Sequence, residues 1–284
     1  MNSFKYRATR FFYKHYWQLI HLTWLLVPKK SNVKSTQHTF SIAIVTYIDR
    51  FESHFKPLIN TLTTSFNDTE IVVVVNGYYN LEKQREYLQQ IKLFLKDFKQ
   101  VKVIDFEEAQ SLSKLWNLAI LNASNEKILI MNDDLKIAPW FKRGLYKSGI
   151  LSQSVALINR SWSHFIIAKE TIKKIGWFDE RFPGVGNEDE DYESRLVFND
   201  VNIKSFRVRG ILNVVFQTKD FSYGKATEVI NTKYVKANKL FFDQKWETST
   251  VAKSGFKYVK ILNRYVKQKV GMETPNFYRD EEQL

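Results

Sequence analysis

The chain has 284 residues, enough for one large domain or two small ones, and its 44% hydrophobic and 26% charged content excludes wholesale disorder. It contains no cysteine, which excludes a disulfide scaffold, a thiolate metal site and a cysteine nucleophile. Lysine and arginine total 43 against 30 acidic residues, and the net charge of +13 predicts attraction to something anionic: nucleic acid, a lipid surface or a phosphorylated substrate.

The charge is concentrated at the ends. Between Met1 and Thr36 stand Lys5, Arg7, Arg10, Lys14, Lys29, Lys30 and Lys34, interleaved with Phe4, Tyr6, Phe11, Phe12, Tyr13, Tyr16, Trp17 and Trp24, and no acid opposes them. The apolar stretch Trp17 to Val27 is about half the ~20 residues that a membrane span requires. No small-residue cleavage site follows Val27, so a signal peptide fits poorly. The composition fits a basic, aromatic helix lying in the interface of an anionic membrane, with a helix packed on the domain as the alternative.

The body opens after Pro28 and a polar linker. Phe40 to Tyr47 reads as a buried parallel strand, and Phe55 to Thr64 has helical spacing. Glu70 to Val75 is a second buried strand, closed by the turn signal Asn76-Gly77. A helix over Leu81 to Phe98, a strand over Val101 to Phe106, a helix over Ser113 to Asn122 and a strand over Lys127 to Met131 follow. Apolar strands alternating with helices predict an α/β fold, its parallel sheet covered on both faces. The second half is less regular, with a strand at Ser163 to Ala168, a short helix through Ile175, a helix at Tyr192 to Phe198 and a strand at Ile211 to Phe216. From Val251 to Lys269 the chain is again purely basic. Three segments result: a basic aromatic helical segment over 1–36, a domain over 37–250 and a basic tail over 251–284.

Two acidic clusters stand out in this basic chain. Asp133 and Asp134 directly follow the apolar strand, where ligands bind in an open parallel sheet. Adjacent carboxylates repel unless a cation neutralises them, and Mg²⁺ or Mn²⁺ bridging to substrate phosphates would do so; solvated carboxylates at a strand exit are the plainer reading. The second cluster, Glu188-Asp189-Glu190-Asp191, follows the loop Phe182-Pro-Gly-Val-Gly186, which reads as flexible, apolar and pocket-shaping. Carboxylates at a helix start are favoured by its free N–H groups, and one there could serve as general base to an acceptor hydroxyl.

Together these segments resemble the nucleotide-sugar glycosyltransferases of the GT-A fold, most broadly the large family 2, over roughly residues 40 to 245. Ser41 to Tyr47 looks like that family's first strand, Ser111 to Ile120 its helix before the metal motif, and Asn132-Asp133-Asp134 its DxD-like site. Gly176 to Phe198 is similar to its F-D-E-x-F…E-D-x-D…R-L pattern and to the acidic motif of β-1,4-galactosyltransferases. The resemblance implies a mixed, mostly parallel sheet flanked by helices, with basic helical extensions at both ends. It implies Thr46, Tyr47, Asn76, Asn117 and Asp133 around the nucleotide, and Asp134 on the metal and diphosphate. It implies Asp189 as the base of an inverting transfer, with Glu188, Asp191 and Arg195 orienting the acceptor or the loop.

Three departures accompany the resemblance. The base-reading Asp of the second strand is replaced at Val75 or Asn76, and the first position of the metal motif is Asn132. The galactosyltransferase metal-ligating His has no counterpart. Gln217 stands near its place, and His164, flanked by Trp162 and Phe165, fits a packed ring as well as a ligand.

The expected activity is thus metal-dependent transfer of a sugar from a nucleoside-diphosphate donor to a glycan or lipid-linked acceptor, hexosyltransferase-like, in bacterial surface-polysaccharide assembly. The expected setting is cytoplasmic, docked on the inner face of the cell membrane. The rivals are a nucleotidyltransferase on a similar sheet, whose Gly-rich phosphate loop is missing from Thr46 to Phe51, and a catalytically silent membrane-associated protein of the same fold. Nucleic acid is not an expected partner, because the basic clusters lie at the termini and the body carries the acids.

Overall fold

The structure, a computed structural model, describes residues 39–213, 225–248 and 265–278, together with positions 19, 20, 22, 23 and 26. Most of the basic N-terminal segment, Gln217 and residues 249–264 lie outside the described residues.

In chain order the first half comprises β1 (Ser41–Thr46), α1 (Lys56–Ser65), β2 (Ile71–Val75), α2 (Leu81–Leu95), β3 (Val101–Asp105), α3 (Leu112–Asn122), β4 (Lys127–Asn132), β5 (Leu135–Ile137) and α4 (Phe141–Ser148). The second half comprises β6 (Val155–Ile158), β7 (Ser161–Ala168), α5 (Lys169–Ile175), α6 (Glu188–Phe198), β8 (Lys204–Phe206), β9 (Ile211–Asn213), α7 (Lys225–Lys245), β10 (Trp246–Thr248) and β11 (Tyr265–Gln268). Seven strands form the main sheet in the order β3-β2-β1-β4-β7-β6-β8. Six of them run in one direction, and β7 alone is antiparallel to both its neighbours. The fold is α/β, a mixed and mostly parallel sheet flanked by helices, as the sequence predicts.

The apolar runs are continuous because both faces of the central strands are covered. Ile42 and Ile44 of β1, Ile71, Val73 and Val75 of β2, and Leu129 and Met131 of β4 pack into one cluster, which includes residues of α1, α2 and α4. The alternate positions Ala43, Val45, Val72, Val74, Ile128 and Ile130 join Leu115 and Trp116 of α3 and Tyr192 and Leu196 of α6 on the other face. Asn80 and Ser111 cap α2 and α3 by accepting hydrogen bonds from Lys83 N (3.0 Å) and Lys114 N (3.2 Å).

Some boundaries differ from expectation. α1 begins at Lys56, reached through a 3₁₀ turn (Ile48–Arg50) and a π turn (Phe51–Phe55), so the exit of β1 is wound rather than loose. α6 starts at Glu188, not Tyr192, with all four acids in its first turn, where the helix dipole favours them. Residues 265–278, which composition groups with the basic tail, are fastened to the body. β11 pairs with β10, Tyr278 packs edge-on against Trp177 at 4.8 Å, and its hydroxyl donates to Glu180 at 2.7 Å. Among the described residues no helix is long and apolar enough to cross a membrane.

Candidate active site

The strand order changes direction between β1 and β4: the chain steps from β1 outward to β2 and β3, then returns to place β4 on the other side. Such a switch point, at the carboxyl ends of the strands, is where open α/β sheets bind ligands. β1 ends at Thr46, β4 ends at Asn132, and Val45 stands opposite Asn132 in register. Asp133 and Asp134 are the only two residues between β4 and β5, and β5 pairs with β9, so the doublet is held in a short link between two sheets.

The two carboxylates are treated differently. Asp133 accepts from Thr46 Oγ1 at 2.8 Å on one oxygen and from Arg50 Nη1 at 2.6 Å on the other. Asp134 Oδ2 is 3.6 Å from the same Arg50 nitrogen, and its buried Oδ1 has no hydrogen-bond partner. Both side chains are almost wholly buried. Burial pushes the Asp134 carboxyl up to about 6; Arg50 pulls against this and Asp133 adds to it. Burial works against the charged Arg50 guanidinium too, yet Asp133 and Asp134 outweigh it and hold the group above its ordinary value. Arg50 is thus the protein's own cation beside the doublet, and its single charge leaves Asp134 Oδ1 without a partner. Arg50 is brought in by the 3₁₀ turn and lies 5.0 Å from the centre of the Tyr47 ring. His54, in the following π turn, is within the field of Asp133 and Arg50, and its own burial lowers its pKa.

The donor set suits a hard divalent cation. Asp134 offers a desolvated carboxylate oxygen with no other partner, and such ions are commonly held by one or two carboxylates plus substrate phosphates. Among the described residues no group of three or more His, Asp or Glu is gathered around one point, so the remaining ligands would come from substrate and water.

Asn76 follows β2 on the same edge, its N–H donating to Thr46 O at 2.8 Å. Its side chain braces two loops, accepting from Gly77 N (2.9 Å) and Gln110 N (2.8 Å). A Cβ at Gly77 would stand 2.1 Å from the Glu108 backbone, so the close approach of these loops requires glycine. Tyr78 and Tyr79 continue the edge with ring centres 4.1 Å apart, and Tyr79 is exposed. Asn117 is buried within α3, exchanging hydrogen bonds with the Phe178 backbone (both 2.9 Å) and donating to Glu180 (2.9 Å), so its polar atoms are turned to that loop. His164 is buried on β7 opposite Met131, two residues before the doublet.

The loop before the second acidic cluster is clamped rather than flexible. Gly184 O accepts from Leu112 N, the first residue of α3, at 2.9 Å, and Asn238 Nδ2 donates to Pro183 O and Gly186 O at 2.9 Å each. Because α3 begins above the carboxyl edge of the parallel strands, this loop lies on the same edge as the doublet. Asn187 then takes φ +68°, a left-handed conformation that is sparse for a residue with a side chain and concentrated at functional sites. Glu188 is buried and bonds back to Gly186 N, whereas Asp189 is part-exposed and accepts from Glu190 N at 2.9 Å.

Asp191 and Arg195 belong to a different construction. Asp191 accepts from Arg195 Nε (3.0 Å) and Trp246 Nε1 (2.9 Å) and pairs with Lys245 at 2.7 Å. Lys245 also reaches Asp179 at 2.7 Å, and Arg181 closes on Asp179 at 2.7 Å. This buried network joins α6, the loop after Phe178, the end of α7 and, through Thr274, the C-terminal segment. Of the acids in the cluster, Asp189 and Glu190 are part-exposed, whereas Glu188 and Asp191 are buried. A shallow concavity of about 500 Å³ lined by Asn67–Glu70 and Lys99–Lys102 lies at the opposite, amino edge of β2 and β3.

No family model and no curated protein gives a significant sequence match. Among solved structures, S. aureus TarS is similar with a TM-score of 0.47 and 17% identity, over 60% of this chain and 36% of that one. GalNAc-T7 with UDP, GalNAc and Mn²⁺ gives 0.49 and 13% over 75% and 49%. The mannosyltransferase PcManGT from Pyrobaculum calidifontis, in complex with GDP-Man and Mn²⁺, gives 0.44 and 12% over 72% and 66%. This chain thus spans less than two thirds of each of these, and at such TM-scores none carries the functional argument.

Proposed function

We propose that this chain is a GT-A-type glycosyltransferase that takes a sugar from a nucleoside-diphosphate donor. The carrying observation is the asymmetric doublet at the sheet's switch point: each oxygen of Asp133 accepts a bond, from Thr46 or Arg50, while Asp134 keeps a buried oxygen without a partner. A divalent cation, Mn²⁺ or Mg²⁺, would be held there by Asp134 with Asp133 beside it. When bound, such a cation supplies Lewis-acid stabilisation of the leaving diphosphate.

The chain's own residues do the rest. Thr46 and Arg50 fix Asp133 at the edge where the ribose would lie. Asn76 and Asn117 act by shaping the loops around the nucleotide. Tyr47, under Arg50, supplies a ring beside the same edge. Asp189 accepts the proton of an acceptor hydroxyl as it attacks the anomeric carbon, giving inversion. Glu188 holds the preceding loop, and Asp191 with Arg195 anchors the helix that carries the base. The acceptor is a glycan or lipid-linked glycan of surface-polysaccharide assembly. The basic segment 1–36 docks the enzyme on an anionic membrane from the cytoplasmic side.

The direct test is thermal shift and calorimetry of the full chain against UDP, GDP, ADP and dTDP, with and without Mn²⁺. One nucleotide is expected to bind and to raise the melting temperature only with the cation; a ligand at 100 times its Kd contributes ~2.7 kcal/mol. If none of the four binds under either condition, the donor reading fails.

A further inference from the structure

The Asp133–Asp134 doublet already holds a cation, and that cation stands beside the carboxylate a metal would take. We propose that Arg50 is a resident counter-cation that a divalent ion displaces from Asp134, and that the guanidinium, still bonded to Asp133, then turns its remaining N–H groups to the donor diphosphate. This rests on the donor reading above and adds a residue to it.

The geometry supports both halves. Arg50 Nη1 is bonded firmly to Asp133 at 2.6 Å but stands only loosely by Asp134 at 3.6 Å, so the contact to be surrendered is the weaker one. The free oxygen, Asp134 Oδ1, is the one an incoming ion would take. A dication on that carboxylate repels a guanidinium beside it, and a diphosphate arriving with the ion presents oxygens that match the planar fork of arginine in pairs.

Arg50 also has somewhere to go. Its side chain is 12% exposed at the mouth of the site, and the Tyr47 ring 5.0 Å away can follow it as a cation–π partner. The backbone that carries it is a 3₁₀ turn running into a π turn, and π turns occur frequently at functional sites. A plain fold-locking ion pair has no need of the asymmetry between the two carboxylates.

The test compares the full-length parent with Arg50→Met and Arg50→Lys by titration calorimetry. Mn²⁺ is titrated first alone, and the nucleoside diphosphates UDP, GDP, ADP and dTDP are then titrated in saturating Mn²⁺. Removing a competing positive charge beside Asp134 predicts that Arg50→Met binds Mn²⁺ alone about tenfold or more tighter. Losing the same group from the diphosphate predicts about tenfold or more weaker nucleotide binding with Mn²⁺ present. Arg50→Lys keeps the charge and is expected between the two. Mn²⁺ is also expected to raise the melting temperature of Arg50→Met more than that of the parent, a readout independent of nucleotide. Should Arg50→Met fail to fold, Arg50→Gln takes its place with the same expected directions.

If the parent binds Mn²⁺ and a nucleotide while Arg50→Met binds Mn²⁺ no tighter, or nucleotide no more weakly, this inference alone falls. If the parent binds neither, the donor reading falls and takes the inference with it.

Discussion

Lys245, the last residue of α7, meets Asp191 of α6 with Nζ 2.7 Å from Oδ1, and neither side chain is exposed to solvent. Burying two ions is costly, and the cost is offset only when every remaining site finds a partner. Here Lys245 also bonds Asp179 and Thr274, and Asp191 also accepts from Arg195 and Trp246. Lys245→Met leaves Asp179 to Arg181 and Asp191 to Arg195, with one buried positive charge missing between them, and is expected to cost about 3–5 kcal/mol. Urea denaturation at neutral pH measures it. A loss under 1 kcal/mol would mean that the network contributes little to the fold.

The same network sets an acid limit. Burial would raise the Asp179 carboxyl, but Arg181 and Lys245 outweigh it and hold the group down to about 2, from an ordinary 3.8. A depressed carboxyl contributes stability that is fully present above its unfolded value and lost as pH falls through its folded one. The contribution, roughly 2 kcal/mol, is therefore expected at neutral pH and to vanish between about pH 4 and pH 2. The stability gap between the parent and Asp179→Asn, measured by urea denaturation, should narrow across that window. A gap of constant size down to pH 2 contradicts the assignment.

The two halves of the doublet are expected to separate experimentally. Asp134→Asn removes the open carboxylate, so Mn²⁺-dependent nucleotide binding should disappear while the melting temperature holds or rises, since a desolvated charge is being neutralised. Asp133→Asn should lower the melting temperature, because Thr46 and Arg50 both bond that side chain. Unchanged Mn²⁺-dependent affinity in Asp134→Asn, read by calorimetry, rules that residue out as the ligand.

How much of this was legible in the sequence follows from which contacts are local. β1, β2 and β4 were readable because burial on both faces demands unbroken apolar runs, and their positions locate the switch point and the doublet. β6 (VALI) is too short to separate by pattern from its surroundings, and α7 is polar enough to hide its buried face. The first turn of α6 escapes the apolar pattern, because four consecutive acids carry no periodicity, and only its body from Tyr192 is legible. Arg50 was visible only as a residue in a loop, because its partner Asp133 is 83 positions away. Lys245 and Asp179, 66 apart, are linked by no periodicity at all. The resemblance separates Asp189 from Asp191 by role, but that Asp191 is enclosed by Trp246 and Lys245 depends on residues more than 50 positions away.

The membrane reading is tested by truncation. The segment 1–36 offers seven Lys and Arg with no acid, each worth roughly 1 kcal/mol near an anionic surface. Deleting it should release the protein from phosphatidylserine-containing vesicles in a sedimentation assay, with the melting temperature little changed. Retained vesicle binding together with a marked loss of thermal stability supports instead a segment packed on the domain.

The last prediction concerns the base. Asp191 is enclosed by Arg195, Trp246 and Lys245, so replacing it disturbs the fold, whereas Asp189 bonds its own helix start and is part-exposed on the edge shared with the doublet. Asp189→Asn should therefore keep its melting temperature and its Mn²⁺-dependent nucleotide affinity, because the group acts on the acceptor. Transfer should fall by at least ~10²-fold, the usual contribution of a positioned general base. Asp191→Asn is expected to do the opposite in kind, lowering the melting temperature first and activity only as a consequence. Donor turnover, measured once the nucleotide screen has named the donor, distinguishes the two variants. Transfer by Asp189→Asn within tenfold of the parent would move the base to Glu188 or Asp191, the two buried acids of the first turn.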